Sequence, residues 1–132
     1  MRVILIVVLL LLLGGAAIGY MVWNKPHPKA EDQQAMTVNA DVLYTTFSTD
    51  EQKANATYLN HVLEVSGTVS ELVKNQDGKT VATLATEDPM GGIQCTFRDE
   101  VSVKTGDVIK VKGFCNGYTL SVLLNDCVLE GK

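Results

Sequence analysis

Apolar and polar residues are distributed very unevenly along this chain, and its N-terminal segment is the most apolar. Val3–Asn24 contains no charged residue and is bounded by Arg2 and Lys25. At about 1.5 Å per residue, a helix of this length spans roughly 30 Å, the thickness of the hydrocarbon core of a bilayer. Residues 1–24 are therefore predicted to form an N-terminal transmembrane anchor.

A cleaved signal peptide is the competing interpretation of this segment. Ala17-Ile18-Gly19 would supply the small residues of a cleavage site. The apolar run continues past this site, and Tyr20 and Trp23 suit the membrane interface, where aromatic residues are enriched. We therefore favour an uncleaved helix. A lipoprotein signal is not expected, since no cysteine precedes Cys95.

A polar linker and short helices are expected next. Residues 25–35 are polar and include two prolines, which is typical of a linker, so the folded domain is predicted to be 36–132. A helix is expected to start within Met36–Phe47. Ser48–Glu51 has the pattern of a capping box, which predicts a second helix, or the continuation of one kinked helix, over Glu51–Leu59.

From Val62 onward the apolar residues recur at every second position, which is the period of a half-buried β-strand. The alternation is interrupted at Ser70-Glu71, with Gly67 nearby, which predicts either a bulge or sharp coiling of a long first strand. Four further strands are predicted over Thr80–Thr86, Ile93–Phe97, Asp107–Phe114 and Leu120–Leu129.

Turn signals separate these strands. Asn75–Gly78 is predicted to join the first two strands as a hairpin, and Asn116-Gly117 to join the last two in a tight turn. Val101–Gly106 is expected to be a connector. Five strands with a long, bulged first strand predict a mainly β fold. We expect a five-stranded closed barrel of the oligonucleotide/oligosaccharide-binding (OB) type, preceded by one or two short helices.

Four segments share sequence patterns with a known family. They are Tyr58–Val69, Gly92–Phe97, Lys104–Gly113 and Leu124–Val128. In this order they resemble the tRNA anticodon-domain-like (tRNA_anti-like) family of OB-fold proteins, in particular its short, membrane-anchored bacterial members. The resemblance covers about residues 41–129 and implies an OB barrel with leading helices. The family name records a likeness of fold and does not by itself imply RNA binding.

An OB barrel is expected to bind its ligand on the second and third strands, between the first-to-second and fourth-to-fifth loops. The candidate ligand-binding residues on this surface are Lys74, Lys79, Thr83, Gln94, Arg98 and Tyr118. Tyr118 is the one obvious aromatic residue among them. Single-stranded nucleic acids, in contrast, are bound through aromatic side chains in a basic groove.

The charge of the domain also bears on its ligand. Residues 24–132 contain ten Lys and Arg residues against fifteen Asp and Glu residues, a net charge of −5, whereas nucleic-acid binders present a basic surface. We therefore predict a membrane-anchored, non-catalytic binding module whose ligand is an envelope protein, peptide or glycan. A single-stranded nucleic-acid-binding OB-fold protein is the alternative.

Residues suited to catalysis or to cofactor binding are scarce. His27 and His61 are far apart, and neither forms a Cys–His or Ser–His–Asp pattern. No metal site and no cofactor are expected, and the soluble domain is expected to be a monomer. The haem chaperones of cytochrome c maturation are also anchored OB barrels, but they attach haem through a histidine near the end of the barrel. No histidine follows His61 here.

The three cysteines, Cys95, Cys115 and Cys127, leave two alternatives open: one disulfide with one free thiol, or three buried thiols. If Asn116-Gly117 closes a tight turn, Cys127 lies about 30 Å along the fifth strand from the residue opposite Cys115, too far for a disulfide. The third and fifth strands are neighbours in an OB barrel, so Cys95–Cys127 is the favoured pair. Positive charges flank the anchor almost equally, so the charge pattern does not decide the orientation of the helix. We expect the domain on the exported, periplasmic side, partly because of the cysteines.

Overall fold

A computed structural model describes residues 1–25 and 29–131; Lys132 and part of the predicted linker, including His27, lie outside the described residues. Helix α1 spans Arg2–Trp23, and none of its residues is buried. It is long and apolar enough to cross a membrane, a property that a signal sequence shares. The chain therefore begins with a helix that is suited to membrane association.

The remaining elements form one barrel with a helical cap. In chain order they are β1 (Met36–Asn39), α2 (Ala40–Thr49), α3 (Glu51–Tyr58), β2 (Val62–Lys74), β3 (Thr80–Ala85), β4 (Gly92–Phe97), β5 (Val108–Tyr118) and β6 (Val122–Gly131). Strands β2, β3, β4, β6 and β5 pair in that order, and β5 pairs again with β2, which closes the barrel. The β4–β6 pair is parallel and the other barrel pairs are antiparallel. The predicted mainly β, five-stranded OB barrel is confirmed.

Strand β2 is long enough to pair with two different strands and so to close the barrel. Its first half, Val62–Thr68, pairs with β5, and its second half pairs with β3. The register shifts between Val69 and Glu71, so the predicted bulge at Ser70 is confirmed. The extra residue bends the strand, as bulges do. The Ser70 hydroxyl donates to the Thr83 carbonyl at 3.1 Å.

The predicted helix start within Met36–Phe47 is confirmed, but it is preceded by a strand that was not predicted. Met36–Asn39 is an edge strand that pairs in parallel with β2. Helix α2 starts only at Ala40, because the Asn39 side chain is its N-cap and accepts the Asp41 N–H at 2.8 Å. Helix α3 ends one residue before the predicted Leu59 and is capped by Asp50, which accepts the Lys53 N–H at 3.1 Å.

The predicted turn at Asn116-Gly117 is also wrong, because β5 continues to Tyr118. Cys115 pairs with Leu124 and Gly117 with Leu123, so Asn116 is an inserted bulge residue. Gly117 has φ of +127°, a conformation that glycine adopts in bulges as readily as in tight turns. The Asn-Gly signal was therefore real but belonged to a bulge, and the chain reverses at Thr119–Ser121 instead.

Helix α2 covers one end of the barrel. Its buried residues Leu43, Tyr44 and Phe47 join the barrel core. Gly67 allows this approach, since a Cβ there would be 3.1 Å from the Cβ atoms of both Ala40 and Leu84. The cap is therefore part of the core rather than an appendage.

The end of the predicted linker is folded onto the barrel. Ala30–Asp32 forms a short 3-10 turn that contacts β5 and β6. Ala30 is 0% exposed, and its N–H donates to Asp126 Oδ2 at 3.3 Å. Folded structure thus begins ahead of residue 36.

Candidate ligand-binding face

The outward side chains of β3, β4 and β6 form one continuous surface. They alternate with buried residues of the same strands, such as Ala82, Leu84 and Cys95. Their register places Val81 beside Thr96, and Thr83 beside Gln94, which in turn lies beside Leu123. We call the surface formed by Val81, Thr83, Gln94, Thr96 and Leu123 the outer face.

Two of the predicted ligand-binding residues lie together at the centre of this surface. Thr83 and Gln94 are direct cross-strand partners, and the Gln94 side chain is exposed whereas Thr83 is half-buried. Both side chains can donate and accept hydrogen bonds. The centre of the outer face is therefore polar and neutral.

Arg98 extends the same alternation past the end of β4. Its backbone N–H donates to the Cys127 carbonyl at 3.0 Å, which ties it to β6. Its guanidinium lies near two carboxylates, with Nε 3.3 Å from Asp99 Oδ2 and Nη1 3.8 Å from Asp126 Oδ1. With 22% of its side chain exposed, Arg98 offers a largely compensated charge to a ligand.

The two predicted lysines lie at the barrel end opposite α2. Lys74 forms an ion pair with Glu100 and donates to Thr80 Oγ1 at 2.9 Å. Lys74 is the register partner of Thr80, which is buried. Lys74 therefore lies on the same side of β2 and β3 as their buried residues, and not on the side of the outer face. Lys79 is exposed in the hairpin beside β3. Of the three predicted cations, two are therefore paired with carboxylates.

Tyr118 does not lie with the other predicted residues. It is the register partner of the buried Val122, and its ring packs beneath α2. The ring centroids of Tyr118 and Phe47 are 5.7 Å apart in a stacked arrangement, and Tyr44 meets Tyr118 edge-on at 6.1 Å. The outward positions of β3, β4 and β6 named above carry no aromatic ring.

The aromatic contact under α2 includes a polar anchor that the sequence analysis missed. The Tyr44 hydroxyl donates to Asp88 Oδ2 at 3.0 Å. Burial, together with this bond and a further one to Tyr118, raises the pKa of Tyr44 to about 12. Asp88 lies in a turn and gives no signal of this bond. The position of Tyr44 next to Leu43, which shares a helix face with Phe47, is the one local sign that Tyr44 faces inward.

The cysteines are buried free thiols. Cys95 and Cys127 meet across the β4–β6 pair, and the pKa of Cys127 is raised mainly by burial and then by its hydrogen bond with Cys95. Burial also raises the pKa of Cys115, whereas a nucleophilic cysteine needs a lowered one. The Cys95–Cys127 disulfide stays a prediction.

Metal-ligating side chains are dispersed. Among residues 1–25 and 29–131, no group of three or more His, Cys, Asp or Glu could hold a metal ion. His61 is exposed at the start of β2, and His27 lies outside the described residues.

Comparisons with known proteins agree with this architecture. The family model named tRNA_anti-like matches residues 1–128. Among solved structures, the chain is similar to a Klebsiella pneumoniae protein suggested to be a nucleic acid-binding lipoprotein. The TM-score is 0.53 at 16% sequence identity, over 70% of this chain and 91% of the other, which is a likeness of fold. No curated protein matches the chain in sequence.

Proposed function

The chain belongs to the tRNA_anti-like family, and from that premise we propose that it is a membrane-anchored, non-catalytic OB-fold binding module. Its ligand is a protein, peptide or glycan of the cell envelope, and the folded domain lies on the exported side of the membrane. The outer face is the binding surface, with Thr83 and Gln94 at its centre.

The pairing of Lys74 and Arg98 with carboxylates carries this proposal. Lys74 contacts Glu100, and Arg98 lies between Asp99 and Asp126. A surface that binds single-stranded nucleic acid needs uncompensated cations and stacked aromatic rings. The outer face offers hydroxyl, amide and aliphatic groups instead, which suit the backbone and side chains of a polypeptide or the hydroxyls of a glycan.

The absence of catalysis is supported by the state of the thiols. Cys115 is 1% exposed and burial raises its pKa, so its thiolate is disfavoured at neutral pH. The Thr83 and Gln94 side chains supply hydrogen bonds but no titratable group. Such a surface is suited to binding a ligand rather than to catalysing a reaction on it.

A single-stranded nucleic acid remains the second candidate ligand. The similar Klebsiella pneumoniae structure is suggested to be a nucleic acid-binding lipoprotein, and Lys79 projects from the hairpin that borders β3. Against it stands the net charge of −5 for residues 24–132.

The decisive experiment uses site-specific photo-crosslinking in native membranes. A photo-reactive residue at Gln94 should yield a discrete adduct, whereas the same residue at Thr57, exposed on α3, should not. In a competition assay against the wild-type chain, the Gln94→Ala variant should bind the crosslinked partner more weakly. Adducts that form equally at both positions would contradict the outer face as the binding site.

The nucleic-acid alternative has its own measurement. We expect no mobility shift of a single-stranded oligonucleotide by the full chain in detergent micelles at low salt. A shift that weakens with salt and is lost in Lys79→Ala would replace the proposal with the second candidate, because phosphate contacts are strongly salt-dependent.

A further inference from the structure

The outward side of the helical cap forms a groove distinct from the outer face. On α2 the positions 41, 42, 45 and 49 lie opposite the buried side that carries Leu43 and Phe47. An open cavity of about 560 Å³ runs along this side, between the loop at Glu87 and the first turn of α3 at Lys53. We call it the helix groove.

The floor of the helix groove is small and largely apolar. Val42 is 56% exposed there. Thr45 and Thr49 flank it one and two turns along the helix, and Thr46 also lines the groove. The Thr46 hydroxyl is used within the helix, since it donates to the Val42 carbonyl at 2.7 Å. The floor of the groove therefore offers the methyl groups of Val42 and the threonines, together with the exposed hydroxyls of Thr45 and Thr49, to a ligand.

The ends of the helix groove are acidic. Asp41 and Glu87 lie at one end, where Asp41 Oδ1 accepts the Glu87 N–H at 2.8 Å. Asp50 lies at the other end, where its Oδ1 accepts the Lys53 N–H. Each aspartate uses one oxygen for these bonds and keeps a second for a ligand. The ion pairs found in the described part of the chain do not involve these three carboxylates.

We propose that the helix groove docks an extended cationic segment of a partner polypeptide. Three carboxylates against the single cation Lys53 favour a basic ligand, and they repel an acidic peptide, a nucleic acid or an anionic lipid surface. A second copy of this chain is disfavoured for the same reason, because the domain itself is acidic. The methyl-lined floor calls for an aliphatic side chain between the basic ones.

The spacing of the acidic ends sets the spacing of the ligand's charges. Residues 41 to 49 of α2 advance about 12 Å along the helix axis at about 1.5 Å per residue, and Asp50 follows directly as the N-cap of α3. An extended strand covers about 13 Å in four residues. The matching segment therefore has basic residues at positions i and i+4 with an aliphatic residue at i+2.

The test is a binding titration of the full chain in zwitterionic detergent micelles. The probe is acetyl-Lys-Ala-Leu-Ala-Lys-amide carrying a neutral dye, and acetyl-Glu-Ala-Leu-Ala-Glu-amide is the charge-reversed control. We expect the lysine probe to bind and the glutamate probe not to bind. Raising the salt from about 0.01 M to about 0.15 M should weaken binding, because the Debye length falls from about 30 to about 8 Å.

Two variants with the same charge change separate the groove from net charge. In the first, Asp41→Asn, Asp50→Asn and Glu87→Gln neutralise the groove while keeping an oxygen for each capping bond. In the second, Glu71→Gln, Asp77→Asn and Glu130→Gln neutralise three carboxylates elsewhere. The groove variant should bind the lysine probe at least about tenfold more weakly, and the control variant should bind it nearly as wild type does.

A third variant guards against misfolding of the first. Val42→Lys adds a positive charge, the same sign as that of the lysine probe, at an exposed position. It should abolish binding of the probe without unfolding α2. The proposal is overturned if the lysine probe does not bind, if both probes bind equally, if the groove variant or Val42→Lys keeps wild-type affinity, or if both charge variants lose affinity equally.

Discussion

The Tyr44 hydroxyl donates a hydrogen bond to Asp88 Oδ2 across 3.0 Å, which fastens helix α2 to the loop between β3 and β4. A second bond lies beside it, from the Glu87 N–H to Asp41 Oδ1. The ring of Tyr44 is held in turn by Tyr118. The helical cap is thus joined to the loop between β3 and β4 by two hydrogen bonds, and the position of the helix groove depends on this attachment.

The titration of Tyr44 predicts a loss of stability at high pH. Its pKa is about 12 in the folded chain against an ordinary value of 10.0. A raised folded-state pKa contributes stability below pH 10, and that contribution is lost as the pH rises from about 10 to about 12. Chemical unfolding across this range should show a steeper loss for wild type than for Tyr44→Phe. Tyr58→Phe, which leaves Tyr44 and Asp88 in place, should behave like wild type; equal profiles for all three would contradict the prediction.

Gly91 is predicted to tolerate no side chain. A Cβ at this position would overlap the hydroxyl and ring atoms of Tyr44, and Tyr44 cannot retreat because Tyr118 and Asp88 hold it. Gly91→Ala should therefore lower the free energy of unfolding by about 1–3 kcal/mol, the usual cost of overpacking. Gly131→Ala, where the new Cβ meets nothing within 4 Å, is the matched control. Thermal unfolding measures both, and an unchanged midpoint for Gly91→Ala would refute the contact.

The contact between Cys95 and Cys127 predicts which disulfide forms on oxidation. Both thiols are buried on neighbouring parallel strands, so loss of two protons and two electrons would join them with Cys115 left free. The bond would close a loop of about 32 residues, which the chain-entropy model values at roughly 3–4 kcal/mol. Non-reducing peptide mapping of protein extracted from its own membrane should recover the Cys95–Cys127 pair. A peptide pairing Cys115 with either of the others would refute it, and three alkylatable thiols would favour a cytoplasmic domain.

The N-terminal helix is predicted to remain in the mature protein. The apolar run passes the small residues at Ala17-Ile18-Gly19 and ends at Trp23, which is longer than the core of most signal peptides. Intact-mass measurement of the membrane-extracted protein should return the full chain. A mature N-terminus near Tyr20 would show that the helix is a cleaved signal.

The docking of Ala30 predicts where the folded domain begins. Removing residues 1–23 should leave a soluble, monomeric domain that unfolds cooperatively. Removing residues 1–35 instead should lower the free energy of unfolding of the domain by about 1–2 kcal/mol more. The reason is that Ala30 is 0% exposed and its N–H is bonded to Asp126. Urea unfolding of the two shortened chains measures the difference. Equal midpoints would mean that the 3-10 turn at Ala30–Asp32 contributes nothing.

The strand pattern was readable from the sequence, but one turn signal was misassigned and one short edge strand was missed. The bulge at Ser70 was recognisable because it shifts the two-residue period of β2. Asn116-Gly117 was misleading, since a glycine with positive φ serves a bulge and a turn equally well. The strand Met36–Asn39 was missed because its partner, the first half of β2, is more than twenty residues away in the chain.

The candidate ligand-binding surface was only partly predictable for the same reason. Thr83 and Gln94 were identified together because adjacent antiparallel strands bring outward residues side by side. Tyr118 was included because a turn at Asn116-Gly117 would have placed it on the rim of the binding surface. The bulge at Asn116 instead sets the register of β5 with β6 and hence the direction of the Tyr118 ring. The compensation of Arg98 by Asp126 joins a residue just past the end of β4 to a residue of β6 and has no local signature.

By itself, the sequence determined the apolar N-terminal helix, the five alternating strands and the closed barrel, because each follows from the period of neighbouring side chains and from the length of the segments. Only the tertiary structure decided that α2 covers one barrel end through Tyr44 and Asp88, that Ala30 docks on β5 and β6, and that Tyr118 points inward. These features depend on contacts between residues distant in the chain, and such contacts are selected by packing and burial over the whole domain rather than by local pattern.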